Sequence, residues 1–359
     1  MNILLFSCHA ILEYDEYKLF HEMGHQVFSI GSYFNPTAPH DPIRPPLAAE
    51  DMPELRSAWN NRPSKKVVPT TFGERLKHSM WKRIGRESKD RIPQELIEWA
   101  DVIIAYHNDD TFHNNWRSIR HKKVVWRTIG QSTKGNERRM KKFRRDGALI
   151  VRCSKMERNI PNYIGDDAVI HFHKDPEEYH GWTGHENRVM MCGQSFLRRP
   201  EFVSFPVLDR ITKPFKRVII GRDNAALADW IGRDLNYLEL KEQIRANRCS
   251  VYAGTKPASY TLFLMEMMMM GMPVVALGKK LGNLPNYDLY ELPHIIDHGV
   301  NGFCSDDENE LIDCIGKLMS DWDCARQIGQ AGRQTAIDRW GKAKIRQQWT
   351  EFFAKLGIK

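Results

Sequence analysis

The chain has 359 residues, with 53 Lys and Arg against 45 Asp and Glu for a formal net charge of +8; this length predicts two domains, each able to bury a sizeable interior. No apolar run approaches the ~18 residues that a membrane helix needs, and the opening MNILLF has no basic stretch or small-residue cleavage site, so no signal peptide is expected. The seven cysteines (Cys8, Cys153, Cys192, Cys249, Cys304, Cys314, Cys324) form no C-x-x-C pair, which points to reduced thiols in a cytoplasmic protein and against a structural metal site.

Taken in order, ILLFS (3–7) predicts a buried strand, residues 13–23 carry helical spacing ended by Gly24, and HQVFSIG predicts the next strand. The intervening SCHAILEYDE lies at the carboxyl end of the first strand, where open α/β sheets place ligands. Glu13 and Asp15 are positioned there to hold or deprotonate an acceptor hydroxyl; the helix dipole alone also favours acids in a first turn. Further strands are expected at DVIIAYH (101–107), KVVWRTIG (123–130), ALIVRCS (148–154) and AVIHFH (168–173). His107 ends its strand in the polar run HNDD, either as a cleft-facing histidine or as a solvated loop residue.

The second half is expected to open near Asn187, with strands RVMMCG (188–193) and RVIIG (217–221), a helix over 237–246, and CSVY (249–252) as about the fourth strand. CSVY runs into a loop of small polar residues containing Gly254, Thr255, Lys256 and Ser259, a helix starts near Tyr260 and Thr261, and PVVAL follows as a buried strand. Unsatisfied amides and about half a positive charge at a helix N-terminus suit a diphosphate there, and Glu266 can accept hydrogen bonds from ribose hydroxyls. Small residues are also ordinary wherever strands meet helices. Met265, Met267 to Met270 and Met272 predict a core helix. SDDE (305–308) reads as a helix N-cap. Trp340, Trp349, Phe352 and Phe353 read as the packing stripe of the closing helices.

Glu266 followed by MMMMGMPVVALG, and PHIIDHGVNGF after it, resemble the donor half of the family 4 retaining glycosyltransferases. That resemblance implies an α/β GT-B architecture, two Rossmann-like domains facing a central cleft. It places an acceptor-binding domain over 1–182, a nucleotide-sugar domain over 183–338, and a C-terminal helix over 339–359 that packs back on the first domain. It also implies a nucleotide-sugar co-substrate, UDP-linked, no other cofactor and no metal, and retention of anomeric configuration, the leaving phosphate helping to deprotonate the acceptor. His107 takes the place of the acceptor-side histidine. After Gly193, Gln194 stands at the usual Arg position, Arg198 and Arg199 stand near the usual Lys, and Arg222 is a further cation for the leaving diphosphate. The pattern departs at Ala258 and His294, both normally Glu, which leaves the identity of the sugar open.

Charge gives a second signal. Between Arg117 and Arg145 stand twelve basic residues, Arg127, Arg138, Arg139, Lys141 and Lys142 among them, against the single acid Glu137. Residues 56–91 add more, with Trp81 among cations. Such a surplus in the acceptor half implies a polyanionic acceptor, with a solvated helix face as the plainer account. Two acceptors compete: hydroxymethylated bases in DNA, as in phage-type DNA modification, or a lipid-linked or cell-surface glycan reached peripherally at an anionic membrane. KGNERRMKKFRR has only Met140 and Phe143 to insert into a bilayer, which favours DNA. A GT-B binding protein that has lost transfer is the third expectation.

Overall fold

A computed structural model describes residues 1–31, 33–34, 44, 52–62, 91–107, 109–231, 235–282 and 288–357. The first half is built on a six-stranded parallel sheet of order β2-β1-β3-β4-β5-β6. Its strands are β1 (Asn2–Ser7), β2 (Gln26–Gly31), β3 (Val102–Tyr106), β4 (Lys123–Arg127), β5 (Leu149–Arg152) and β6 (Ala168–Val169). Helices α1 (Ala10–Glu22), α2 (Pro53–Asn60), α3 (Gln94–Trp99), α4 (Asp110–Ile119) and α5 (Lys134–Arg145) cover it. The strands form because they are short apolar runs covered on both faces, as parallel sheets require; Ile3 sits beside Val27 and Val102, and all three are buried.

AVIHFH supplies two strand residues rather than six. The reason is Arg127, whose guanidinium takes the carbonyls of Ile170 (2.5 Å) and His171 (3.3 Å), so those groups are not left to a strand ladder.

The second half repeats the plan with five parallel strands in the order β8-β7-β9-β10-β11. These are β7 (Glu186–Cys192), β8 (Arg217–Ile220), β9 (Asn247–Tyr252), β10 (Val274–Leu277) and β11 (Phe303–Ser305). CSVY, expected as about the fourth strand, belongs to the third in chain order and lies centrally between β7 and β10. The helices are α6 (Phe205–Thr212), α7 (Tyr237–Ala246), α8 (Leu262–Met270), α9 (Lys279–Gly282), α10 (Glu308–Ser320), α11 (Trp322–Trp340) and α12 (Lys342–Lys355). Asp307 caps α10, accepting from Asn309 N–H (2.8 Å) and Glu310 N–H (3.3 Å).

Helix α8 is apolar all round apart from Glu266, and a helix of that kind is a buried one; its methionines are at most 1% exposed. They belong to a core that continues through Tyr260 and Trp340 to Trp349 and Phe20 of the first half. Helix α12 docks there, with Trp349 edge-on to Phe20 at 5.0 Å. The chain passes between the halves near Lys174 and returns near Gly341, and the two passages are bonded: Lys174 N–H to Trp340 C=O (2.9 Å), Lys342 N–H to Lys174 C=O (3.1 Å). All seven cysteines are free thiols.

Candidate functional site

An open parallel sheet takes its ligand beyond the carboxyl ends of its strands, where the strand order reverses. In one half that point lies between β1 and β3, in the other between β7 and β9. The segments leaving those four strands, around residues 8–9, 107, 193–199 and 253–261, are the ones in which sequence reasoning had placed the chemistry.

On the second half, two loops are stitched together beside the reversal. Gly221 sits at φ +118°, and a Cβ there would lie 2.2 Å from the Gly193 carbonyl oxygen, so only glycine permits this approach. Ser195 N–H then donates to Arg222 C=O (2.9 Å), and Asn224 Nδ2 donates to Gly193 C=O (2.8 Å). The stitching leaves Gln194, Arg198, Arg199 and Arg222 exposed, with Arg199 donating to the Gln194 carbonyl (2.9 Å).

The loop ahead of α8 is held from three sides. Lys256 N–H donates to Phe202 C=O (2.9 Å), Glu291 N–H donates to Ser259 C=O (3.1 Å), and the Tyr252 hydroxyl receives Thr261 N–H (2.9 Å) while donating to Thr261 Oγ1 (2.9 Å). Thr255 and Lys256 are half-buried, and burial pulls the Lys256 ammonium below its ordinary value. Ser259 Oγ is buried with no hydrogen-bond partner among the described residues. An unmet buried hydroxyl is costly unless a ligand completes it. Tyr260, by contrast, faces the first half: its hydroxyl donates to Cys153 C=O (3.1 Å) and meets His171 Nδ1 (2.9 Å). Its ring is buried against Trp340, so it braces the joint between halves and is not a donor-facing residue.

Glu266 is buried, and three donors converge on its Oε1: Arg44 Nη2 (2.7 Å), Lys174 Nζ (2.9 Å) and Tyr179 OH (3.2 Å). Burial alone would raise its pKa, but Lys174 and Arg44 bring the carboxyl below its ordinary value. The same two cations hold Asp15, at 2.8 Å for Lys174 and 3.3 Å for Arg44, and outweigh its burial to lower it to about 2.

Two of the three acid–base candidates are thereby corrected. Asp15 is a paired carboxylate held far too low to act as a base near neutrality. Glu13 is 0% exposed, accepting from Ser29 Oγ (2.7 Å) and Tyr33 N–H (2.8 Å). A Cβ on Gly31 would lie 2.2 Å from its Oε2, so the acid is wedged against the end of β2, where burial raises its pKa. His107 differs. It ends β3 at φ +50°, burial lowers its pKa, and its Nδ1 finds no partner among the described residues. Of its HNDD run, Asn108 lies outside the described residues, while Asp109 accepts from His113 and Arg139.

The basic run divides the same way. Arg127 is 0% exposed and paired with Glu16 at 3.0 Å, so it belongs to the interior and not to an acceptor surface. Arg138, Lys141, Lys142 and Arg145 stand exposed on α5, and Arg139, 40% exposed, is bonded to Asp109. Arg117 and Arg120 are exposed on α4, which packs against α5 through Phe112, Trp116 and Phe143. Most of the basic stretch 56–91, Trp81 included, lies outside the described residues.

The architecture matches solved structures over its whole length. Sucrose-phosphate synthase from Thermosynechococcus elongatus aligns with a TM-score of 0.63 at 13% identity, over 99% of each chain. HepE of Anabaena, solved with UDP and glucose, aligns at 0.60 and 13% identity over 99% of this chain and 100% of its own. The fold is GT-B. An α-glucosyltransferase solved with UDP and a 13-mer DNA containing a central A:G mismatch aligns at 0.59 and 12%, over 99% of this chain and 100% of that one. No protein-family model matches the chain, and no curated protein matches it by sequence.

In the GT-B frame, sequence reasoning missed the residues that join the halves. Lys174 and Arg44 are single cations in stretches without periodicity, and Glu291 precedes the short 3-10 turn Leu292–His294. Glu291 accepts from Ser154 Oγ (2.5 Å) in one half and from Arg339 (2.6 Å) in the other. The only local signal for Glu291 was its place two residues before the PHII block.

Proposed function

We propose that this chain is a metal-independent, retaining glycosyltransferase that moves a sugar from a UDP-linked donor to a hydroxyl on DNA, a hydroxymethylated base being the acceptor that fits best. The donor reading is supported by the loop before α8 with its unmet Ser259 hydroxyl, and by whole-chain likeness to proteins solved with UDP. Thr255, Lys256 and Ser259 would meet the diphosphate at the helix N-terminus. Arg198, Arg199 and Arg222 are exposed cations that would answer the charge that builds as the diphosphate leaves. Glu266 would take a ribose hydroxyl. The anomeric carbon–phosphate oxygen bond breaks, the acceptor oxygen bonds on the same face, and its proton passes to the leaving phosphate. His107, neutral at pH 7 with Nδ1 unmatched, would orient that hydroxyl.

One observation carries the choice of acceptor. Met140 and Phe143, the large apolar side chains of α5, are 0% and 3% exposed, so the face shown to solvent is cationic with nothing to insert into lipid. No helix among the described residues is long and apolar enough to cross a membrane. A membrane-surface acceptor is the second reading, favoured by Leu197 and Phe202, 50% and 54% exposed beside Arg198 and Arg199.

Incubation with a panel of UDP-sugars and either hydroxymethylcytosine duplex or lipid extract, read by mass spectrometry, tests both. Sugar added to the duplex supports the proposal, and sugar added only to lipid supports the second reading. Absence of both transfer and UDP binding leaves a GT-B binding protein.

A further inference from the structure

Four buried charges where the halves meet form a closed, neutral ring drawn from four separate parts of the chain. Asp15 comes from α1 of the first half and Glu266 from α8 of the second. Lys174 comes from the passage between halves, and Arg44 from beyond β2. All four side chains are nearly inaccessible: 2% exposed for each cation, 11% for Asp15 and 6% for Glu266. Buried charges in such a site are tolerated only when fully paired. Lys174 is the member that meets both carboxylates while its own backbone is bonded on both sides, to Trp340 and to Lys342. Its ammonium is therefore fixed by main chain at the point where the two halves are joined.

The geometry at Glu266 is one-sided. Arg44, Lys174 and Tyr179 all reach Oε1, and Oε2 takes no hydrogen bond among the described residues. A carboxylate gripped by one oxygen presents the other in a fixed direction. From this geometry we infer that Lys174 is a positioning residue for the donor: it anchors Glu266 by Oε1 so that Oε2 is aimed at a nucleotide hydroxyl, and through Asp15 it links that anchor to the first half. The inference rests on the proposed role of Glu266 in donor binding. It assigns Lys174 no contact with substrate. The binding strength of the second half thereby depends on a charge held in place by the first.

The groups around Glu266 decide what removal of Lys174 does. Arg44, Lys174 and Tyr179 touch it; Asp15 and His173 stand behind Lys174; Lys241 of α7 and Cys192 of β7 lie within electrostatic reach. Without Lys174 two buried carboxylates share one guanidinium, and loss of a close opposite charge raises a carboxyl pKa by about 1–3 units. Glu266 then takes up a proton as the pH falls, and the protonated form no longer accepts as a carboxylate does.

The test is UDP affinity, by calorimetry, for wild type, K174Q and K174R at pH 8 and pH 5.5. Wild type sets the reference at each pH, since the terminal phosphate of UDP itself gains a proton between the two, its second pKa being about 6. K174Q should lose about tenfold more affinity at pH 5.5 than at pH 8, one pKa unit being a factor of ten, and K174R should recover most of the loss at low pH. Wild-type affinity in K174Q at both pH values overturns the inference. So does an equal loss at both, which is what a packing role alone would give. Should K174Q fail to fold, D15N/K174Q restores a neutral ring in which Arg44 is left to Glu266 alone; its affinity should then fall about equally at both pH values as Glu266 loses its anchor, and wild-type affinity at both overturns the inference. A wild-type protein that takes up no UDP sinks the donor reading by itself. Lys174 is then judged by carbon-13 titration of the Glu266 carboxyl, whose midpoint must rise in K174Q by about a unit or more; an unchanged midpoint overturns the inference independently of any donor.

Discussion

The two halves share one strand order and use charge in opposite ways. In the first, charged residues lie deep in the fold: Glu13, Glu16, Arg127, Glu137 and Arg152 are all 0% exposed, Arg127 with Glu16 and Arg152 with Glu137 as matched pairs. In the second, the sheet ends carry small residues and an unmatched hydroxyl, and Arg198, Arg199 and Arg222 face solvent. Buried pairs fix a shape at high cost if one member is lost. Exposed cations on short loops leave a site ready for an anion. The comparison teaches that basic residues close together in sequence can serve opposite ends: Arg127 is framework, and Arg138, eleven positions on, is surface.

The largest effect that would break this contrast is at the framework. Arg127→Met strands Glu16 without its cation and should cost about 3–5 kcal/mol, while Arg138→Ala should stay within about 0.5 kcal/mol. Denaturant midpoints of the two variants check this, and similar values would erase the distinction. Next comes acid. Burial pushes His171 and His173 down to about 4 from 6.5, so both stay neutral in the fold while the unfolded chain takes up protons. Stability is therefore full above pH 6.5 and falls toward pH 4, by on the order of 3 kcal/mol per histidine. Asp15 acts in a lower window: its folded value of about 2 lies below 3.8, so its contribution is intact above pH 3.8 and is lost as pH falls through 2. A melting temperature that stays flat from pH 8 to 4 contradicts the histidine part.

Smaller effects sharpen the functional side. Glu266→Ala should weaken UDP binding about tenfold to a hundredfold, as loss of a charged hydrogen-bond acceptor does; unchanged affinity places the donor elsewhere. Reversing Arg138, Arg139, Lys141 and Lys142 together to Glu should cost stability only through Arg139, which loses its bond to Asp109. It should lower the salt dependence of duplex binding by up to about four in log–log slope. An unaltered salt slope removes DNA from this face.

Much of the fold was legible because parallel strands are short apolar runs and their helices end at glycine or begin at caps. Residues 237–246 were read to the residue as helix. The failure at AVIHFH came from a long-range competitor: no pattern in 168–173 shows that Arg127 will claim its carbonyls. The loops of the candidate site follow their strands where the sequence places them, at residues 193–199 and 253–261. The ring was not legible, because its bonds join residues 159 and 222 positions apart, and a lone Lys or Arg gives no local sign of its partner. Glu13 and Asp15 misled for the same reason: an acid in a first helical turn looks alike whether it faces solvent or lies buried.

The chain crosses from one half to the other at Lys174 and recrosses at Gly341, side by side. Everything between forms a cassette whose two ends emerge at one place, while α12 returns to the first half. Exchange of the second half between proteins of this architecture therefore needs only two adjoining splice points. Lys174 stands at one of them, so a graft made there keeps its grip on Glu266 only if the incoming segment brings a carboxylate to the same spot.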